Sequence, residues 1–339
     1  MRHLPVGKLR AEVLKAFFEK YAPRDERVLI GPRIGEDAAV IEMGDRYLLA
    51  TTDPVTFATD EIGWYALQVN ANDLAVRGAR PRWFLATLLL PEGATTDASV
   101  EHIFSQVGRA CEELEVSLVG GHTEVTHGLG RPIVVGTMLG EVAKDRLVTS
   151  GGARPGDMVL LTKGIPLEGA AIIAREKEKD LAARGVPSAL VERAKDFLHR
   201  PGISVVPEAM LASELGAVHA MHDPTEGGLA TALWELAEAS GVGLRIERER
   251  IPILPEGERL CREFGLDPLG TIASGSLLLT LAAAAAALVL HACAREGIDC
   301  AFIGQVVPRD AGLALVEGGR PLPLPTFPQD EITKLFGAA

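Results

Sequence analysis

Short apolar runs of strand length alternate along the chain with stretches in which apolar residues return every three or four positions. This is the pattern of a chain that packs sheets against helices. The runs Tyr47 to Thr52, Trp83 to Leu90, Val116 to Val119, Ile133 to Val142, Met158 to Thr162, Ala217 to Met221, Leu244 to Ile246, Leu277 to Leu281 and Ala301 to Val306 predict strands. Several are rich in Val, Ile and Leu, which suits buried sheet. Val100, Ile103, Phe104, Val107, Cys111 and Leu114 recur at three and four, predicting an amphipathic helix with Cys111 in the core. Trp64, Leu67, Ala71 and Leu74 draw a second stripe, on a helix that begins near Gly63 and stops at Gly78. Segments 174–183 and 190–198 mix charges of both signs and predict solvated surface helices. The stretch from Leu277 to Ala294 is broken by Thr280 and His291 and diluted by alanines from Ala282 to Ala287, so it predicts a strand and a helix, not a membrane span.

At 149–156 the turn formers TSGGARPG interrupt the alternation, and 339 residues exceed what one core usually holds, so domains of 1–150 and 151–339 are expected. The proline-spaced PLPLPTFP at 321–328 predicts an extended surface segment. Composition changes the picture in two ways. With 46 acidic and 34 basic residues the net charge is −12, and without a basic stripe such a chain is repelled by nucleic acid. Cys111, Cys261, Cys293 and Cys300 form no CxxC pair, which predicts a reducing compartment, and the N-terminal MRHLPVGKLRAEVLKAF shows no secretory apolar core. A cytoplasmic protein is expected.

Polar clusters supply the candidate chemistry. Gly35-Glu36-Asp37-Ala38-Ala39 sets adjacent carboxylates in a glycine turn, suited to a hard cation such as Mg2+ and equally to a solvated turn. Thr51-Thr52-Asp53-Pro54 falls at a strand end, where ligands collect in sheet proteins and where Asp-Pro also makes turns. Asn70, Asn72 and Asp73 lie inside a helix they weaken by about half a kcal/mol each relative to Ala, so something besides helix formation selects them. Gly120-Gly121-His122-Thr123-Glu124 follows a strand as a tight turn or a close approach of backbone amides to phosphate. In His222-Asp223-Pro224-Thr225-Glu226-Gly227-Gly228, Asp223 is expected as N-cap, Pro224 at N1 and Glu226 at N3, with the helix start also able to face an anion.

Taken in order, GEDAAV, TTDPVT, NDLAVRGARP, GGHTEV, HDPTEGGLATAL and SGSLLLT resemble the superfamily of ATP-dependent enzymes typified by aminoimidazole-ribonucleotide synthetase. Within it the chain looks most similar to the HypE-type hydrogenase-maturation factors, from about Leu4 to Val307. The resemblance implies a two-domain, PurM-like fold of α/β plus α+β type. In it an N-terminal domain pairs its strands in a homodimer to build a central β-barrel, followed by a C-terminal α+β sandwich. It implies Mg·ATP in the cleft between the domains, with Asp37, Asp53 and Asp73 as magnesium carboxylates. It further implies Asn72, Gly120, Gly121 and Thr123 along the nucleotide, and Asp223, His122 and Glu124 as catalytic candidates. A carbamoyl, amide-like or phosphate-bearing acceptor and a maturation partner protein are implied as well.

Three positions depart from the HypE pattern: no cysteine follows Cys300, His122 replaces an aspartate and Glu226 replaces an arginine. The first predicts that the chain does not carry a carbamoyl group on its own terminal thiol. A small-molecule kinase similar to thiamine-monophosphate kinase and a non-catalytic nucleotide-binding assembly partner are the alternative expectations.

Overall fold

The structure, a computed structural model, describes residues 9, 11–21, 25–32, 36–56, 60–216 and 218–336. Gly35, Ala217, most of the N-terminal segment read above and the last three residues lie outside the described residues.

The first sheet is built from β1 (Val28–Ile30), β2 (Ala39–Met43), β3 (Arg46–Val55), β4 (Arg80–Pro91), β5 (Ser117–Thr126) and β6 (Ile133–Ala143) in the order β1-β2-β3-β6-β4-β5. All its pairings are antiparallel except β4 with β5. Helix α1 is Ala11–Tyr21, and α2 (Ile62–Ala75) and α3 (Asp97–Glu113) follow β3 and β4. The second sheet comprises β7 (Met158–Thr162), β8 (Val218–His222), β9 (Gly243–Glu247), β10 (Leu278–Leu281), β11 (Cys300–Val307), β12 (Leu313–Glu317) and β13 (Arg320–Pro323), ordered β13-β12-β9-β11-β7-β10-β8. Its helices are α4 (Leu167–Glu176), α5 (Glu178–Ala183), α6 (Ser188–Asp196), α7 (Val206–Glu214), α8 (Gly228–Ser240), α9 (Pro255–Phe264) and α10 (Ala283–Arg295).

Alternation in β6 turns every second residue inward, and against that face lies α2, of which every residue except Val69 is buried. The helix is therefore not amphipathic as its stripe predicts; its polar residues are inside. Close approach needs glycine opposite it: a Cβ on Gly136 would stand 2.3 Å from Asn70 Nδ2, and one on Gly63 2.5 Å from the Ile103 carbonyl. Helix α3 starts at a capping box in which Thr96 and Ser99 bond each other's backbone amides. It buries Ile103, Val107 and Cys111 as expected, while Phe104, on the flank of the stripe, is exposed.

The charged segment 174–183 is the end of α4 and all of α5, broken at Lys177, and Ala174 and Leu181 are buried rather than solvated. The stretch after Leu277 forms strand β10 and then α10, and no helix among the described residues is long and apolar enough to cross a membrane. Of the proline-spaced segment, the part up to Pro323 forms the exposed edge strand β13, where missing amides cost little, whereas Leu324 and Phe327 turn into the second core.

One contact ties the halves together at the place that matters. Asn72 on α2 donates from Nδ2 to the Ile203 carbonyl at 2.8 Å and accepts from the Val205 amide at 2.8 Å.

Candidate functional site

The end of β3 runs beside α2, and hydrogen bonds fix their polar groups on one another. Asn70 accepts from the Asp53 amide at 2.9 Å and donates to the Asp53 carbonyl at 3.2 Å, so it holds the backbone from which the exposed Asp53 carboxylate projects. Thr51 Oγ1 lies 2.8 Å from the Asp37 carbonyl and 2.7 Å from Asp73 Oδ2. A hydroxyl has one proton to donate, so both contacts are satisfied when the Asp73 carboxyl carries a proton. In the turn just after α2, the wholly buried Arg77 sets Nη2 3.3 Å from Asp37 Oδ2 and 3.3 Å from Glu36 Oε2.

From the other half, β8 ends at His222, with Asp223 next to it, both buried. His222 Nε2 is 2.9 Å from Glu235 Oε2 on α8, and its Nδ1 faces Asp37 Oδ2 at 3.6 Å. One ligand atom each from Asp37, His222 and Asp223 lie within 4.8 Å of one another.

Electrostatics follow from burying acids together. Burial first, then the charges of Asp53, Asp223 and Asp37, hold the Asp73 carboxyl well above the usual range. Burial and then Asp37 push Asp223 up to about 6. Burial would lower His222, but the bond to Glu235 and the charges of Asp37, Glu235 and Asp223 carry it above its ordinary value. Burial also raises Glu168 on α4 to about 7 and Asp330 to about 6. Each of these acids binds its proton more tightly folded than unfolded. The metal-free protein therefore loses stability as pH rises through 6 to 7. Its melting temperature in EDTA is expected to be higher at pH 5.5 than at pH 8, and the opposite order in a melting series would contradict this account of the cluster.

Asp37, Asp53, Asp73 and Asp223 thus come together from four separate segments. Asn72 lies next to them but spends its amide on the clasp to Ile203 and Val205. Gly120, Gly121, His122, Thr123 and Glu124 lie within the extended strand β5, not in a turn after it. Asp53, Gly136, Ala86 and Gly121 stand in one row across β3, β6, β4 and β5. Three strand spacings put Gly121 roughly 14 Å from Asp53 within the chain. His122 and Glu124 pair with each other there, 3.1 Å apart and exposed.

The capping expectation at 223–226 is overturned. Gly227 and Gly228 adopt positive φ, delay the helix to Gly228 and make Gly227 the N-cap, and the Gly227 amide donates to Asp330 at 2.7 Å. Arg77 and Glu235 join the site without being singled out by the sequence reading, and Thr51 and His222, named there only within their clusters, take contacting roles. The sequence signal available for Arg77 and His222 was their place inside NDLAVRGARP and HDPTEGG.

The donor set suits divalent cations. Clustered carboxyls whose protons are held by mutual repulsion and burial give them up to a cation of higher charge, and the carboxylates of Asp37, Asp53, Asp73 and Asp223 could offer oxygens to such an ion.

Comparison with known proteins matches residues 35–142 to the N-terminal domain, and 154–315 to the C-terminal domain, of AIR synthase related proteins. The carbamoyl dehydratase HypE of Cupriavidus necator is 32% identical over 319 residues, covering 91% of this chain and 85% of that protein. HypE of Rhodobacter capsulatus is 36% identical over 293 residues, 81% and 80% of the two chains. Thiamine-monophosphate kinase of Aquifex aeolicus is 29% identical over 246 residues, 70% and 75%. Among solved structures, hydrogenase maturation protein HypE in complex with ATP superposes with a TM-score of 0.72 at 25% identity, covering 96% of this chain and 97% of that one. HypE in a HypE–HypF complex gives 0.75 at 23%, covering 94% and 100%, a likeness of fold.

Proposed function

This chain belongs to the AIR synthase related family, and from that premise we propose that it is an Mg·ATP-dependent enzyme that activates a carbamoyl or amide-like acceptor by phosphoryl transfer. The observation that carries the reading is the buried Asp73 carboxyl, on which Asp53, Asp223 and Asp37 act from both halves of the molecule. An acidic cluster of this kind repels a triphosphate unless cations intervene, and Mg2+ supplies that neutralisation and anchors the phosphate oxygens. Asp37, Asp53 and Asp73 hold the ions in this reading. Asn70 fixes the direction of Asp53, and Asp223 faces the transferred group from the second half. Phosphoryl transfer asks little covalent chemistry of the protein, so positioned charges suffice.

Relatives named carbamoyl dehydratase support the acceptor class, and the ATP complex of HypE supports the nucleotide. Cys111, Cys261 and Cys293 are buried and Cys300 half-buried, with burial holding the Cys261 thiol up at about 12, so the acceptor in this reading comes from outside these thiols. A maturation protein partner, a division near residue 150 into a nucleotide-binding and a C-terminal domain, and a cytoplasmic working place complete it.

The test is purified protein with Mg·ATP and a panel of carbamoylated compounds and thiamine monophosphate, followed by phosphorus NMR. Carbamoyl-dependent release of ADP or phosphate is expected. Release only with thiamine monophosphate would move the chain to the kinases, and tight ATP binding without turnover would leave a nucleotide-binding assembly partner.

Homodimerisation is part of the proposal. The long edge strand β5 exposes Leu118, Val119 and Val125, and an uncovered apolar edge is a template for pairing with a second copy. Light scattering is expected to give twice the chain mass, and Val119→Lys with Val125→Lys to give the monomer with an unchanged circular dichroism spectrum.

A further inference from the structure

Asp37 and Asp223 are oxygen donors of a kind that suits magnesium, but the group between them is not. The His222 side chain is 4% exposed, and its Nδ1 is buried without a hydrogen-bond partner. That atom is aimed at Asp37 Oδ2, 3.6 Å away. Two ligands held about 2.1 Å from one ion at a tetrahedral angle stand roughly 3.4 Å apart, so the pair is already spaced for coordination. The third donor, on Asp223, falls inside the same 4.8 Å set. On its far side His222 is oriented by Glu235 at Nε2, 2.9 Å away, the carboxylate–imidazole arrangement that fixes metal-binding histidines. Among the described residues, the carboxyls of Glu36, Asp37, Asp53, Asp223 and Glu235 outnumber the guanidinium of Arg77, so a further cation is electrostatically welcome.

We propose that His222 Nδ1, with one carboxylate oxygen each from Asp37 and Asp223, binds one nitrogen-accepting divalent ion of the Mn2+, Co2+ or Zn2+ class in preference to Mg2+, bridging the two halves of the chain. Magnesium favours all-oxygen octahedra and parts reluctantly with water, whereas imidazole suits later transition ions. A buried imidazole nitrogen thus makes this position selective where a third aspartate would not. The site is complete without nucleotide, so it can be tested apart from the ATP reading.

The experiment uses nucleotide-free, tag-free full-length protein. Titration with Co2+ is expected to develop visible absorption saturating at one ion per chain, and a hundredfold excess of Mg2+ over Co2+ is expected not to remove it. Mn2+-loaded protein is expected to show 14N modulation in electron spin echo spectra. His222→Gln should abolish the nitrogen modulation and weaken Co2+ binding about a hundredfold, while Glu235→Gln should weaken it about tenfold and keep the modulation. Absence of nitrogen coupling in the wild type, its persistence in His222→Gln, or displacement by equimolar Mg2+ would overturn the proposal. If His222→Gln does not fold by circular dichroism, the wild-type echo spectrum, the Mg2+ competition and Glu235→Gln decide.

Discussion

The Asp73→Asn variant is expected to lose Mg2+-dependent ATP binding by about a hundredfold or more, and yet to melt above the parent protein in metal-free buffer. Both effects have one cause. Asp73 is buried among Asp37, Asp53 and Asp223, and its ionised form is opposed by lost hydration and by their charges. Asn keeps the shape and can still meet Thr51 Oγ1, but it neither repels its neighbours nor offers an anionic oxygen to a cation. The melting gain should be larger at pH 8 than at pH 5.5, because the folded parent holds on Asp73 a proton that the unfolded chain gives up ever more readily as pH rises, whereas Asn carries none. Calorimetric titration with ATP, with and without Mg2+, and a melting series supply both readouts. Asp37→Asn should lose affinity likewise. Unchanged nucleotide affinity in both variants would remove these carboxylates from the nucleotide site.

Arg77→Met is expected to act in the opposite direction on stability. Arg77 is fully buried against Glu36 and Asp37, and removing one partner of a buried ionic group leaves the others uncompensated, at about 3–5 kcal/mol. For a chain of this size that corresponds to roughly a 5 °C fall in melting temperature. High salt should recover little of it, because buried charges are poorly screened. A fall of only a degree or two would mean that water reaches the guanidinium and that the acids lean on it weakly.

The strands were legible because their residues are apolar in runs: Met158–Thr162 forms β7 over the bounds read from sequence and most others agree within a few residues, but β5 runs on to Thr126, seven residues past the apolar run that ends at Val119. The short β1 and β2, with their half-exposed edges, and the polar-flanked β12 and β13 carry too few apolar positions to stand out. Helix α2 misled for a physical reason. The stripe Trp64, Leu67, Ala71 and Leu74 predicts one buried face, but the amides of Asn70 and Asn72 serve backbone groups from other segments, so polar side chains here are internal wiring. The acidic motifs identified the neighbourhood of the site. What sequence could not supply was pairing across long separations: Arg77 with Asp37, and His222 with both Asp37 and Glu235. Local capping logic failed at Asp223 because Gly227, at φ 80°, offers a turn no other residue adopts so cheaply, and the chain uses it.

The clasp made by Asn72 puts a mechanical joint one residue from a candidate cation ligand. Lys163 contacts the carbonyls of Gly202 and Ser204 and pairs with Glu208 at 2.9 Å, so the 202–205 segment is gripped from both sides. A twist of α2 on taking up its ligand must therefore be relayed as a pull on that segment and onward to α7. Displacing α2 thus means displacing 202–205 with it, while Arg146, bonded to the Ser213 and Glu214 carbonyls, holds the other end of α7 to the first half.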